Sequence, residues 1–181
     1  ESSMLYFCNL VSKECRVTLT GECADEIFGG YPWFHRKEMY MQNTFPWSYD
    51  LSPRIVLFKD DFINSLPLKE NDAYETSINQ CPHTDGETIT EYNRRKISWL
   101  NIRWFMMTLL NRMDRCSMYS GLEARVPFAD YRILEYVFNV PWEYKCYNNQ
   151  VKSLLVECGK KYLPPEILYR KKSPYPKTYD P

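Results

Sequence analysis

Two carboxylates, Glu22 and Asp25, stand between the stretch Arg16-Val17-Thr18-Leu19-Thr20 and the glycine pair Gly29-Gly30. The stretch alternates, is rich in β-branched residues and ends at Gly21, which predicts a short strand. Acids early and glycines late then predict a short helix over 21–30. Where a strand feeds a helix N-terminus, free backbone N–H groups attract phosphates. Bare carboxylates there would repel a phosphate, so the chemistry that fits is a divalent cation, Mg²⁺, between acid and phosphate. The other reading makes Glu22 and Asp25 helix-start acids that complement the macrodipole.

A second charged segment runs from Leu109 to Asp130 and contains Arg112, Asp114, Arg115, Glu123 and Arg125 in an otherwise apolar setting. Buried charges need partners, and structural pairing of Asp114, Glu123 and Arg125 is favoured over direct catalysis. A third segment, Tyr169 to Lys177, is basic and proline-bearing. It has no glycine to wrap a phosphate, but a lysine held among prolines supplies a point charge; the alternative is a solvated tail. Tyr31, Trp33 and Phe34 fit a core or subunit contact better than a base-stacking platform.

The elements that position these residues are mostly helical. Leu5, Cys8, Leu10 and Val11 recur at helical spacing and open the chain. A helix begins after Ser52-Pro53, with serine as cap and proline in the first turn. The longest helical pattern runs from Glu87 to about Met113, with Trp99, Ile102, Phe105, Met106 and Leu109 on its apolar face. Gln80 to Gly86 is a surface loop, 130–140 and 150–162 are two further helices, and Leu163 to Pro181 is extended. One strand cannot make a sheet, so its partners are expected from residues outside this chain, as in a larger α/β domain that has been cut.

Composition limits the function. The 181 residues hold 23 basic and 23 acidic side chains, and 44% are hydrophobic, so neither a disordered chain nor a basic nucleic-acid binder is expected. The richest apolar stretch, Ile97 to Leu110, is broken by Asn101 and Arg103 and is too short to span a membrane. Seven cysteines form no Cys-x-x-Cys pair and suit reduced thiols in the cytoplasm. His35 and His83 stand apart, so a zinc site is not expected, and a Cys–His pair has no positional support.

Taken in order, the three segments resemble the synthetase domain of glutamine-hydrolysing asparagine synthases. Gly21-Glu22-Cys23-Ala24-Asp25-Glu26-Ile27-Phe28-Gly29-Gly30-Tyr31 is similar to the family's first signature, with Cys23 where the family often has glycine. Asp114-Arg115-Cys116-Ser117-Met118, followed by Gly121-Leu122-Glu123-Ala124-Arg125-Val126-Pro127-Phe128, resembles its second. The resemblance implies an ATP-dependent carbon–nitrogen ligase. It adenylates the aspartate side chain, releases pyrophosphate, and forms asparagine with glutamine-derived ammonia from a glutaminase domain in cis. It places Glu22 and Asp25 at the Mg²⁺–pyrophosphate site as metal-binding and catalytic acids, and Lys172 as the lysine that stabilises phosphate charge. Gly21 and Arg112 join the ATP-binding set.

The implied fold is a mainly α fragment with one or few short strands, cut from an α/β adenine nucleotide alpha hydrolase-like (HUP) synthetase domain. No Ser-Gly-Gly-x-Asp-Ser loop occurs in the sequence, nor an N-terminal cysteine nucleophile. Residues 1–181 therefore look like the C-terminal part of that domain, inactive alone, in a cytoplasmic enzyme for which a homodimer is compatible. An adenylating enzyme with another acceptor, of the β-lactam synthetase or peptide cyclase type, and a non-catalytic helical interaction module remain alternatives.

Overall fold

A computed structural model describes residues 2–48, 50–66 and 70–170. In chain order the elements are α1 (Ser2–Val11), β1 (Val17–Leu19), α2 (Ala24–Phe28), α3 (Lys37–Tyr40), α4 (Ser52–Ile55), α5 (Asp60–Ser65) and α6 (Glu70–Ile78). There follow α7 (Ile89–Leu100), a π-helical segment (Asn101–Met106), α8 (Met107–Tyr119), β2 (Glu123–Arg125), α9 (Tyr131–Asn139), α10 (Trp142–Lys145), α11 (Ser153–Gly159) and α12 (Pro165–Leu168). The chain is thus mostly helical, as expected, with a small parallel sheet. Among the described residues, no helix is long and apolar enough to cross a membrane.

Contrary to expectation, one partner of β1 lies inside the chain. β2 pairs with β1 in parallel, Val17 opposite Glu123 and Leu19 opposite Arg125. The end of α8 explains how β2 gets there. Gly121, at φ +66°, lets the chain reverse; its N–H donates to the Met118 carbonyl at 3.0 Å and that of Leu122 to Ser117 at 2.9 Å. This Schellman closure buries Leu122 against Met113 and Cys116, and the next residue enters β2. The charges expected inside an apolar setting are instead at the surface. Asp114, Glu123 and Arg125 are not buried, and the latter two pair at 2.7 Å.

The long helix starts on a capping box in which Thr88 and Glu91 satisfy each other's backbone N–H groups. It runs past Met113 to Tyr119, and of the expected face Met106 is buried while Trp99, Ile102, Phe105 and Leu109 are half-buried. Ile97, Leu100 and Asn101 are buried, yet 104, 108, 111 and 115, which would continue that stripe, are exposed. The π turn shifts the buried stripe to Met106, Met113 and Cys116. Other differences are local. Ser52 makes no cap: its N–H is bonded by Asp50, and the helix ends after one turn. The helix expected over 150–162 is confined to α11 because Lys152, at φ +57°, sits at its start in the left-handed region. Among the described residues of the tail expected to be extended, 163–170, lies a proline-started turn, α12.

Four apolar clusters hold these pieces. One joins Cys23, Ile27 and Phe28 to Met106 and Val137, which seats α2 on the π segment and α9. A second joins Phe34, Tyr40 and Ile97. Phe34 is buried and Tyr31 stacks on Trp33, as expected for a core role.

Candidate active site

β1 delivers the chain to Thr20, whose hydroxyl accepts the Glu22 N–H at 3.2 Å, and Glu22 stands before the first turn of α2. Its carboxylate pairs with Arg112 of α8 at 3.3 Å. Asp25, inside the first turn, pairs with Lys152 at 2.8 Å. The two acids therefore occupy the strand-to-helix junction as anticipated, and each is braced by a cation from a distant part of the chain. Neither side chain is fully covered: the acids keep 16% and 25% of their side-chain surface exposed, although Asp25 Oδ1 itself is buried.

Asp25, Gly30 and Lys152 line an open cleft of about 880 Å³ together with residues such as Val151, Leu155, Leu163 and Leu168. Gly30 fits here because nothing larger does. A Cβ on it would lie 1.8 Å from Asp25 Oδ1 and 2.4 Å from Lys152 Cε, while its N–H donates to the Asp25 carbonyl at 2.8 Å. The backbone thus folds onto its own carboxylate. Cys23 at φ +74° and Lys152 at φ +57° flank the acid, both in a region that side chains seldom occupy. Strain of this kind collects at functional sites. The Cys23 thiol is pushed up to about 12, chiefly by burial and then by Glu26 and Glu22, so it is no nucleophile.

Lys172, the third expected catalytic group, lies outside the described residues. Gly21 sits at the strand's end with open space around it. Mg²⁺ favours oxygen ligands and is usually held by one or two carboxylates plus substrate phosphates. Among the described residues, no three His, Cys, Asp or Glu side chains form a metal cage. Glu22 and Asp25 are the two carboxylates at this junction that could offer oxygens to such an ion.

Three features were not anticipated from the sequence. Lys152 was passed over, since only the tertiary fold brings it to Asp25. Glu26 is buried and accepts the Tyr31 hydroxyl proton, while Tyr31 packs edge-on against Phe105 of the π segment. Cys146 Sγ lies 3.7 Å from His35 Nδ1, whose Nε2 is 2.8 Å from the Gly29 carbonyl. A carbonyl only accepts, so Nε2 carries the proton and Nδ1 accepts from the thiol. Burial raises the thiol and lowers the imidazole, which keeps both neutral: the pair secures Gly29 and is not an ion-pair nucleophile.

Burial also raises Glu26, against the Tyr31 hydrogen bond and with help from Asp25 and Glu22. The folded state then holds this proton more tightly than the unfolded one, so its stabilisation is complete at acid pH and is lost as pH rises through the raised value. Glu26→Gln, which keeps an acceptor for Tyr31, should raise stability at pH 8 by about 1 kcal/mol and flatten its fall between pH 5 and 8. Melting curves across that range check it. A variant as pH-dependent as the parent would show that Glu26 is ionised throughout.

The family model for asparagine synthase matches residues 1–181. The chain is 50% identical over its full length to 30% of the glutamine-hydrolysing asparagine synthetase 3 of Bacillus subtilis (strain 168). It is 24% identical over 95% of its length to 32% of asparagine synthetase 1 of the same organism. Against asparagine synthetase B of Escherichia coli (strain K12) the identity is 26%, over 88% of the chain and 20% of that protein. The chain therefore spans less than a third of the length of these curated relatives. With both signature segments folded together around one strand-to-helix junction and the whole length matched, the chain belongs to the asparagine synthase family.

Proposed function

We propose that residues 1–181 form the C-terminal part of the synthetase domain of a cytoplasmic, glutamine-hydrolysing asparagine synthetase, an α/β domain of the HUP class. In that enzyme a glutaminase domain in cis supplies ammonia, ATP activates the side-chain carboxylate of aspartate, and AMP and pyrophosphate leave.

This chain contributes the acidic side of the ATP site. The supporting observation is the placement of Glu22 and Asp25 at the end of β1, each oriented by a cation, with Asp25 facing a cleft large enough for a nucleotide. Mg²⁺, when bound with ATP, supplies charge neutralisation on the phosphates. Asp25 and Glu22 offer it oxygens and fix the position of the pyrophosphate. Lys152 and Arg112 keep the two carboxylates from swinging away and add positive charge beside the phosphates. Gly30 lets the chain close on Asp25 without a side chain between them. Lys172 stabilises the charge that develops as pyrophosphate departs. Phosphoryl and nucleotidyl transfer are mainly matters of positioning and charge neutralisation, which these groups provide.

The test is exchange of radiolabelled pyrophosphate into ATP, with and without aspartate, by the complete polypeptide that carries these residues. Aspartate-dependent exchange is expected. Lys172→Ala should lower it by ~10² or more while changing stability by under about 0.5 kcal/mol. Exchange driven by a different carboxylic acid, or a Lys172→Ala rate equal to the parent's, would overturn the assignment.

A further inference from the structure

Away from the acidic junction, the loop before α7, the first half of α7 and the turn between α9 and α10 surround a separate cavity of about 330 Å³. Three cations meet there: Arg94, Arg95 and Lys145. Lys145 is 5% exposed, and its ammonium makes one long hydrogen bond, 3.5 Å, to the Phe138 carbonyl. An ammonium has three protons to donate, so most of its capacity is unused. The Arg94 guanidinium lies between the Tyr40 and Trp142 rings, 4.9 Å from each centroid, and its Nε is buried without an acceptor.

Two of the acids on the same wall are already engaged. Glu87 accepts from Arg95 at 2.9 Å and from the Thr84 N–H at 3.1 Å. Glu91 accepts from both the N–H and the hydroxyl of Thr88. Asp85 is exposed on the loop. Among the described residues Lys145 has no carboxylate partner, and Arg94 feels Glu91 only as a nearby charge, without a salt bridge to it. A buried cation without a counter-charge is costly, and the ordinary remedy is a bound anion.

We propose that this cavity is a binding site for a small oxyanion, a carboxylate or phosphate group, gripped by Lys145 Nζ and the Arg94 guanidinium. Arg94 is pre-oriented by its two rings, so it loses little freedom when it binds, and a guanidinium fork suits a two-oxygen acceptor. Arg95, tied to Glu87, forms the outer wall. Burial, with Arg95 adding repulsion, lowers Lys145 to about 8, and this still leaves the amine mostly charged at pH 7. The site shares Trp142 with the acidic junction, since the same ring also lies against Gly29. None of the cavity's lining residues lines the nucleotide cleft, so this site is independent of the activity proposed above.

The test is nuclear magnetic resonance of isotope-labelled lysine in the complete polypeptide, titrated at pH 7 with inorganic phosphate and, separately, with acetate against a chloride control. The Lys145 signal is the one missing from Lys145→Met, or from Lys145→Arg should the methionine variant not fold. A saturable shift of that signal is expected, with a dissociation constant in the millimolar range or below. The anion should raise the lysine's proton affinity about tenfold, and Arg94→Gln should weaken binding about tenfold. The tighter of the two probes identifies the head group. No shift with either anion up to about 100 mM, or equal affinity in Arg94→Gln, would overturn the proposal.

Discussion

Gly30→Ala should cost about 2–3 kcal/mol of stability and, in the complete enzyme, most of the pyrophosphate exchange. The added methyl carbon would lie 1.8 Å from Asp25 Oδ1, 2.7 Å from Asp25 Cγ and 2.4 Å from Lys152 Cε. Lysine can withdraw along its flexible stem. Aspartate cannot, because its carboxyl is one bond from Cβ and its backbone is held in the first turn of α2. The acid must rotate, which breaks the 2.8 Å pair with Lys152 and moves a candidate metal-binding oxygen out of the cleft. Urea unfolding gives the stability change, and the exchange assay gives the function. A variant within about 0.5 kcal/mol of the parent would mean that Asp25 rotates freely, and that the close approach positions nothing.

Asp25→Asn should separate function from folding. The amide keeps the size of the side chain and an acceptor for Lys152, so only the charge changes. The pair is partly exposed, and exposed ion pairs contribute at most about 1 kcal/mol, so stability should hardly move. Aspartate-dependent exchange should fall by ~10²–10³, since a neutral amide is a poor ligand for Mg²⁺ and its bound phosphates. Raising Mg²⁺ should recover part of the rate if the lost charge acts through the metal. A rate within about threefold of the parent would return Asp25 to the role of a helix-start acid.

How much of this was legible in the sequence depended on the range of the interactions involved. The β1–α2 segment was readable because everything that makes it is local: alternation over Arg16–Thr20, an early acid, and glycines at the end. β2 was hidden because Glu123-Ala124-Arg125 has no strand propensity; it is a strand because Gly121 turns the chain and Arg16–Thr20 offers a ladder. The pairing of Arg112 with Glu22 spans 90 positions, and that of Lys152 with Asp25 is longer still. No periodicity encodes such meetings. The cavity at Lys145 was equally hidden, because a lysine next to a short helix reads as a solvated charge until Phe138 and Trp142 enclose it.

The π segment has a consequence for how this chain tolerates changes of length. A regular helix turns 100° per residue, so deleting one residue within α7 or α8 would swing everything downstream round by that angle. Arg112 would leave Glu22, and Met113 and Cys116 would leave their cluster. Between Asn101 and Met106 the outcome is opposite. There the buried stripe steps by five positions, from Asn101 to Met106, where a regular helix steps by four. Removing one exposed residue, such as Arg103, would convert the wide turn to an ordinary one and leave both flanks in phase. The turn is thus the one stretch of this long helix that can absorb a single-residue deletion while the acidic junction and its braces stay in place.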